Sequence, residues 1–179
     1  MTDLISITAH YTPTMDEFVH SFRVFYARSK LRTVDRITGT LLILLAIGLI
    51  ALSPRTPFLW ILAMLPVAGA VWYGTGIYRQ VALRRTLRTS PAMDTTRDLV
   101  LDAQGLQQFS SRGNAQSPWM DYTHVVETDA AFVLFCEGGT FGSIPKRVFS
   151  AANEVAAVRD LLRTHVPAYE STQHMVPAA

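Results

Sequence analysis

The sequence predicts an α+β membrane protein in which a two-helix transmembrane hairpin carries a cytoplasmic antiparallel sheet capped by a C-terminal helix. The hairpin follows from two uncharged runs, residues 37–54 and residues 56–78, which contain 18 and 23 residues. As helices they would be roughly 27 and 34 Å long, against a hydrocarbon core of about 30 Å. The sheet follows from short apolar-rich runs that alternate with turn residues after residue 93.

Residues 1–36 form the predicted N-terminal segment, a strand followed by an amphipathic basic helix. Residues 4–11 alternate apolar and polar side chains, which is typical of a strand, and Thr14 and Glu17 have the spacing of a capping box. The helix then presents one apolar face, made of Met15, Phe18, Val19, Phe22, Phe25 and Tyr26. This face could lie in the membrane interface or could cover the sheet of the C-terminal domain.

Residues 37–78 form the predicted hairpin, with spans at 37–54 and 57–78. Neither span contains an Asp, Glu, Lys, Arg or His, and ion or proton pathways usually need such groups, so a transporter is disfavoured. Ala70 and Gly74 have the small-x-x-x-small spacing that permits close helix contact. This contact could join the two spans of one chain or two copies in a homodimer.

Basic residues flank both ends of the hairpin. Nine of the 16 lie there: Arg23, Arg28, Lys30, Arg32, Arg36, Arg79, Arg84, Arg85 and Arg88. The connecting loop holds only Arg55, so both termini are expected on the cytoplasmic side of the inner membrane. Anionic lipid headgroups are the expected partners, with Arg32, Arg36, Arg84, Arg85 and Arg88 as candidate contacts. Nucleic acid is not expected, because ten acidic and six basic residues follow from residue 94 onward.

Residues 79–92 are predicted to prolong the second helix as a basic juxtamembrane end and linker, and residues 93–167 to form the β-rich domain. Predicted strands lie at 98–102, 105–110, 119–127, 131–136 and 140–144, with Pro145 ending the last. Ser150 is expected to cap a closing helix that Pro167 stops. Residues 168–179 have no periodicity and are expected to be disordered. The single cysteine, Cys136, excludes an internal disulfide.

Three runs carry a family resemblance: WMDYTHVVE from Trp119 to Glu127, AFVLF at 131–135 and IPKRVF at 144–149. The sequence resembles the YcxB-like family of small bacterial membrane proteins. The resemblance implies a domain similar to the bacterial pleckstrin-homology fold, a curved sheet capped at one end by a helix, and it implies no established catalytic activity. Five predicted strands are fewer than a full barrel of that kind contains. The N-terminal strand could complete the sheet, or the domain could stay open.

Lys146 and Arg147 are the sharpest candidates for ligand contact. Adjacent basic residues after a proline could pair with a phosphate, a lipid headgroup or an acidic partner, or they could simply be solvated. Trp119, Pro145 and Phe149 are predicted to be structural anchors. The five histidines are scattered without metal-ligand spacing, and no catalytic set, metal site or cofactor motif emerges.

Two functions from different classes fit these observations. In the first, the hairpin anchors a non-catalytic binding or regulatory module whose ligand is a protein or an anionic lipid. Charge reversal at Lys146 and Arg147 would then weaken capture of the partner and leave the domain folded. In the second, the protein is an accessory or immunity-type subunit that acts through its transmembrane hairpin. An enzyme is disfavoured.

Overall fold

The computed structural model describes residues 7–52, 57–90 and 95–172, and the statements below concern those residues. The chain divides into two compact units. The head unit comprises Met1–Phe25 and Leu87–Ala179, and the hairpin unit comprises Tyr26–Thr86. The N-terminal segment therefore belongs to the same unit as the residues that follow the hairpin, although the whole hairpin unit separates them in sequence.

The head unit contains two four-stranded sheets. Sheet A is antiparallel with the order β1-β2-β3-β4, and its strands are Ile7–Tyr11, Arg97–Leu101, Gly105–Ser110 and Gly113–Pro118. Sheet B has the order β7-β6-β5-β8, and its strands in chain order are Tyr122–Glu127, Ala131–Cys136, Phe141–Pro145 and Tyr169–Ser171. The first three strands of sheet B are antiparallel, whereas β8 joins β5 in parallel. The N-terminal strand thus completes sheet A by pairing with β2.

Two strands are absent from the sequence prediction. The first, β4, is polar and largely exposed on both faces, so no alternation marks it, and a turn of only Ser111 and Arg112 joins it to β3. The second, β8, lies in the region predicted to be disordered, and that prediction is wrong for Tyr169–Ser171. The backbone N–H of Thr172 donates to the carbonyl of Glu127 over 2.9 Å, which holds this segment on sheet B. Residues 173–179 lie outside the described residues.

The core of the head unit lies between the inner faces of both sheets and the closing helix. Leu99 and Leu101 from sheet A pack with Phe132 and Leu134 from sheet B and with Leu162 of that helix. The helix, Ala152–His165, is α5 in chain order. Its first turn is closed by the Glu154 carboxylate, which accepts from the backbone N–H of Ser150 over 2.8 Å, so the predicted Ser150 hydroxyl cap is replaced by a carboxylate.

Helix α1, Met15–Arg28, covers the outer face of sheet B, which decides between the two positions that its apolar face left open. The Phe25 ring lies 5.5 Å from the Phe135 ring and 5.0 Å from the Phe141 ring. Val126 and Val133 join the same apolar cluster. Sheet B is therefore buried on both faces, which explains why β6 is a continuous apolar run. The predicted capping box forms, since the Thr14 N–H donates to Glu17 over 3.0 Å.

The hairpin unit contains α2 (Lys30–Leu52), α3 (Pro57–Gly74) and most of α4 (Ile77–Arg88). The second predicted span is interrupted, because α3 ends at Gly74 and the chain bends by 65° before α4 begins. At the break, Gly76 has φ of +69°, and a Cβ there would lie 2.6 Å from the Tyr26 ring. Glycine is thus required both by the left-handed conformation and by the close aromatic ring.

Helices α2 and α3 approach closely at small residues. A Cβ on Gly39 would lie 3.2 Å from the Ala70 carbonyl oxygen and 3.4 Å from the Gly74 Cα. The small-x-x-x-small surface of α3 is therefore used inside one chain. Within the described residues, one helix, Lys30–Ala51, is long and apolar enough to cross a membrane, and Ile61–Gly74 with Ile77–Arg88 meets the same criterion as a bent pair. The predicted loop at 54–56 lies outside the described residues.

Candidate functional site

The motif at 144–149 distributes its side chains to different parts of the head unit. Ile144 and Pro145 are buried at the end of β7, and the Phe149 ring is buried in the core. Lys146–Val148 forms a single 3-10 turn, which sends the two neighbouring basic side chains in different directions. Lys146 and Arg147 therefore do not form one cationic surface, because each is paired with a different carboxylate.

Lys146 is paired with Glu127, a fully buried carboxylate at the end of β5. Lys146 Nζ donates to Glu127 Oε1 over 2.7 Å. Arg159, on α5, donates through Nη2 to Oε1 over 2.6 Å and through Nε to Oε2 over 2.9 Å. The Tyr169 hydroxyl of β8 donates to Oε2 as well. One carboxylate thus joins β5, the turn after β7, α5 and β8.

The electrostatic balance keeps Glu127 ionised. Burial alone would raise the pKa of this carboxyl, but hydrogen bonds from Arg159, Lys146 and Tyr169 lower the pKa to about 2. The same cluster raises the pKa of Tyr169, through burial first and then through its hydrogen bond to the carboxylate. A carboxylate that stays ionised and fully hydrogen-bonded has the properties of a structural group, and it is poorly suited to proton transfer.

Arg147 is paired with Glu17 of α1. Its Nη2 donates to Glu17 Oε2 over 3.0 Å and to the Thr12 carbonyl over 2.9 Å, and its Nε donates to Glu17 Oε1. Glu17 is also the capping-box residue of α1, so one carboxylate serves both the helix start and the arginine. The Arg147 side chain remains 51% exposed, which leaves its outer edge accessible to a ligand.

Comparison with protein families matches residues 101–162 to the family model described as YcxB-like protein. These residues are a YcxB-like segment. The match extends from the end of β2 into α5 and confirms the resemblance inferred from the three sequence runs. Comparison with curated proteins and with solved structures found no match.

The YcxB-like segment contains Glu127, Lys146 and Arg159, whereas Tyr169 and Glu17, which contact its charged side chains, lie outside it. Tyr169 follows the segment, and Glu17 precedes it by more than 80 residues of chain. Both partners nevertheless belong to the head unit. The Arg147–Glu17 ion pair and the Tyr169–Glu127 hydrogen bond therefore connect the YcxB-like segment to the flanking sequence. Because Lys146 is paired with the buried Glu127, a charge reversal at Lys146 would report on stability as well as on binding.

The predicted anchor Trp119 is buried within the YcxB-like segment. Its indole Nε1 donates to the Asp102 carbonyl over 2.8 Å, and its ring lies 6.0 Å from the ring of Tyr122. The indole is 4% exposed, so it fills core space and offers no stacking surface to a ligand.

The predicted lipid-contact arginines lie on α2 and α4, towards the two ends of the hairpin unit in sequence. Arg32 and Arg36 on α2, and Arg85 and Arg88 on α4, are exposed, whereas Arg84 is half-buried. Sequence reasoning missed the buried neighbour of Arg36, which is Asp35. Its carboxylate accepts from Arg79 Nε over 2.6 Å, from the Tyr26 hydroxyl over 2.7 Å and from the Tyr78 hydroxyl over 3.1 Å.

A cleft of about 160 Å³ opens in the head unit where β1, the start of α1 and β7 meet. Its polar lining includes Tyr11, Glu17, Arg97, Gln108 and Ser143. Glu17 is engaged by Arg147, so the lining lacks the pairing of a nucleophile with a base that acyl transfer needs. Among the described residues, no group of His, Cys, Asp and Glu side chains is arranged to hold a metal ion.

Proposed function

We propose that the protein is a non-catalytic binding module anchored by its hairpin unit in a bacterial inner membrane. Both segments of the head unit lie on the cytoplasmic side, and the basic helix ends contact anionic lipid headgroups. The head unit has a pleckstrin-homology-like architecture and presents its surface to a protein or an anionic ligand.

One observation carries this proposal, namely that the head unit is assembled from both sides of the hairpin in sequence. The backbone of β1 pairs with β2 from Ile7–Leu101 to Tyr11–Arg97, and α1 packs on β6 and β7. Two segments that share one sheet must lie on the same side of any membrane. The chain between them therefore crosses an even number of times, and a crossing by α2 requires a return.

The hairpin unit has the surface that a membrane would cover. Large apolar side chains that are at least 46% exposed project from its helices: Val34, Ile37, Leu41, Ile43, Leu44, Leu45, Ile47, Ile61, Met64, Leu65, Val71 and Trp72. Only 17% of the most apolar window of α2 is buried, whereas the core helix of a soluble protein buries most of its apolar side chains. Such a continuous apolar surface is expected to contact lipid.

The distribution of arginines supports the proposed orientation of the hairpin unit in the membrane. Arg32 and Arg36 lie at the start of α2, and Arg84, Arg85 and Arg88 lie on α4, after the bend. Both groups are therefore at the ends of the hairpin that adjoin the head unit in sequence. Short cationic segments are retained in the cytoplasm and attract anionic lipids, with about 1 kcal/mol per charge near the surface.

The head unit supports a binding role through its architecture. Two sheets and the closing helix share one core. A closing helix packed on a sheet supports the pleckstrin-homology likeness, which implies a curved sheet capped at one end by a helix. The buried carboxylate of the head unit is committed to three hydrogen-bond donors, and the cleft beside β1 and β7 has no nucleophile in contact with a base among its described lining residues. These features favour a module that recognises a partner over one that transforms a substrate.

Topology can be tested with single cysteines in a Cys136→Ser background. We expect Arg55→Cys to react with a membrane-impermeant maleimide in whole cells. Ser111→Cys, in the exposed turn before β4, is expected to react only in inverted membrane vesicles. Labelling of Ser111→Cys in whole cells, or a full chain that stays dissolved without detergent, would overturn the proposal.

Replacing residues 37–78 with an unrelated membrane hairpin distinguishes the accessory-subunit alternative from the binding-module proposal. Under the binding-module proposal the chimaera keeps the activity of the native chain, because the hairpin only anchors the head unit. Loss of that activity with the head unit still folded would identify the hairpin as the functional surface. Crosslinking of the native and chimaeric chains reports in the same samples whether the native hairpin forms a homodimer.

A further inference from the structure

Helix α4 leaves the line of α3 at a steep angle. The two helices are bent by 65° at the break that follows Gly74. Helix α4 has 12 residues, so it is about 18 Å long. For α3 parallel to the membrane normal, α4 advances only about 8 Å along that normal and about 16 Å along the membrane surface. The headgroup layer on each side of a bilayer is about 5–8 Å thick, so α4 would stay within that layer.

The break between α3 and α4 has the side chains that are expected at a membrane interface. Helix α3 has 18 residues and is about 27 Å long, which nearly matches the hydrocarbon core of about 30 Å. Trp72 and Tyr73 at its end are 46% and 38% exposed, and such aromatic side chains favour the interface. The next charged residue is Arg79, which donates to the Asp35 carboxylate of α2 over 2.6 Å. Charged side chains of α2 and α4 therefore meet beside the break.

One face of α4 changes from apolar to cationic along the helix. Its residues follow one another at helical offsets of three and four: Ile77, Val81, Arg84, Arg85 and Arg88. Ile77 is 42% exposed at the start of this face, and Arg85 and Arg88 are exposed at its end. An apolar start and a cationic end match a helix that begins at the hydrocarbon edge and rises through the phosphates.

The chemistry of these arginines suits the phosphate of a lipid headgroup. A guanidinium donates two parallel hydrogen bonds to phosphate oxygens. It has five N–H donors, so a contact within the chain still leaves Arg84 and Arg85 with donors for a lipid. The sequence has no acidic residue between Asp35 and Asp94, so α4 carries no carboxylate of its own. Its charge is therefore complementary to an anionic membrane surface.

We propose that α4 is an in-plane membrane helix, which lies in the cytoplasmic headgroup layer and binds the phosphates of anionic lipids through Arg84, Arg85 and Arg88. This inference rests on the proposed function, since it requires α3 to cross the bilayer, and it gives the lipid contact a defined helix and depth. A straight continuation of the second span would carry Arg88 about 17 Å beyond Ile77 along the membrane normal. The 65° bend instead keeps the arginines level with the phosphates.

The depth of α4 can be measured by spin-label accessibility on the full chain in lipid nanodiscs that contain phosphatidylglycerol. Single cysteines are introduced along residues 77–88 in a Cys136→Ser background, and collisions of each label with oxygen and with a nickel chelate give its depth. We expect the depths to follow the 3.6-residue helical period with a slope of about 0.6 Å per residue, whereas a straight continuation of α3 gives about 1.5 Å per residue. Met64→Cys is the hydrocarbon reference, and Ser111→Cys is the aqueous reference.

Recognition of anionic lipid can be measured with the label at Ala82→Cys, an exposed position on α4. Its spectrum separates lipid-bound helix from released helix. In phosphatidylglycerol nanodiscs, Arg85→Gln and Arg88→Gln are each expected to lower the ratio of bound to released helix about fivefold, because each removes one charge near the surface. Phosphatidylcholine nanodiscs should lower the ratio in wild type and abolish the difference between wild type and variants. Arg112→Gln, in the exposed turn before β4, is the matched charge control and should leave the ratio unchanged.

Three results would overturn the in-plane helix. They are a slope near 1.5 Å per residue, an equal ratio in the two kinds of nanodisc, and an Arg112→Gln loss as large as that of Arg88→Gln, which indicates non-specific attraction. The Met64→Cys label separates this failure from failure of the membrane anchor. A Met64→Cys label in hydrocarbon beside an aqueous α4 refutes the in-plane helix alone, whereas an aqueous Met64→Cys label refutes the anchor on which it depends.

Discussion

Each unit of the molecule contains one buried carboxylate among its described residues, and the two are held differently. Glu127 in the head unit has two cationic partners and one phenol, drawn from the turn after β7, α5 and β8. Asp35 in the hairpin unit has one cationic partner, Arg79, and two phenols. Since Arg79 and Tyr78 lie at the start of α4 just after the bend, Asp35 stabilises only the local junction between α2 and α4. Glu127 instead joins elements from several parts of the head unit.

The difference shows what a buried charge contributes in each setting. Removing one partner of a buried ion pair leaves the others uncompensated, and the cost rises with the number left behind. Loss of the Glu127 charge would leave two cationic partners, Lys146 and Arg159, whose side chains are 15% and 26% exposed. Loss of the Asp35 charge would leave one cationic partner, Arg79, whose side chain is 25% exposed. The expected effects therefore differ in size and also in what they disturb, namely stability in one unit and the helix angle in the other.

The largest effect is expected for Glu127→Gln. The amide keeps the shape but leaves Lys146 and Arg159 without a counter-charge, so we expect a loss of about 3 kcal/mol in unfolding free energy. The measurement is urea unfolding of the full chain in detergent, followed by near-ultraviolet circular dichroism. Glu137→Gln, in the exposed turn after β6, is the control and should change stability by under about 0.5 kcal/mol. If the two variants lose the same unfolding free energy, Glu127 does not have the structural role assigned to it.

Acid should reproduce part of the Glu127→Gln effect. The folded pKa of Glu127 is about 2 against an ordinary value of 4.5, so the unfolded chain takes up this proton first. The contribution is therefore complete above about pH 4.5 and is lost as pH falls towards 2, with a limit of about 3 kcal/mol. Urea midpoints measured between pH 5 and pH 2.5 should fall more steeply for wild type than for Glu127→Gln. Parallel pH profiles would contradict the assignment.

Asp35→Asn should have a smaller effect on stability, about 1.5 kcal/mol, and a distinct effect on geometry. Losing the charge weakens the hold on Arg79, so the 65° bend between α3 and α4 should become variable. Spin labels at Met64→Cys and Ala82→Cys, in a Cys136→Ser background, would show a broader distribution of the distance between the two labels in double electron–electron resonance. Arg36→Gln, at the neighbouring exposed position, should leave the distribution narrow. A narrow distribution in Asp35→Asn would show that Gly76 alone fixes the bend.

The smallest effect is expected for Arg147→Gln. Its pair with Glu17 is half exposed, and exposed pairs contribute about 0.2–1 kcal/mol. We expect a loss of about 0.5 kcal/mol by the same urea assay, and faster amide hydrogen exchange in the first turn of α1, where Glu17 would lose one of its two roles. A loss as large as that of Glu127→Gln would mean that the α1 contact, and not the buried carboxylate, dominates the stability of the head unit.

The sequence allowed prediction wherever a local pattern decides the structure. Three features could be predicted because each depends on neighbouring residues. They are the capping box at Thr14 and Glu17, the end of α5 before Pro167 and the apolar run of β6. The polar strand β4 was not readable, since its conformation comes from hairpin pairing with β3 and not from its own side chains.

The ion pairs were beyond sequence reasoning for a related reason. Nothing in the sequence connects Glu17 with Arg147, or Glu127 with Arg159, until the chain folds. Both basic residues of the 144–149 motif were therefore considered as ligand contacts, although each has a carboxylate partner within the head unit.

The split head unit has a consequence for biosynthesis. The ribosome completes α1 long before the antiparallel strands of sheet B exist, and at 5–20 residues per second the interval from Arg28 to Pro145 is about 6–23 seconds. During that time the Phe18, Phe22 and Phe25 rings have no sheet to cover. Under the proposed membrane topology, we expect the nascent helix to rest on the lipid surface and to transfer to sheet B once translation has delivered that sheet. The order of synthesis would then make membrane insertion a precondition for maturation of the domain.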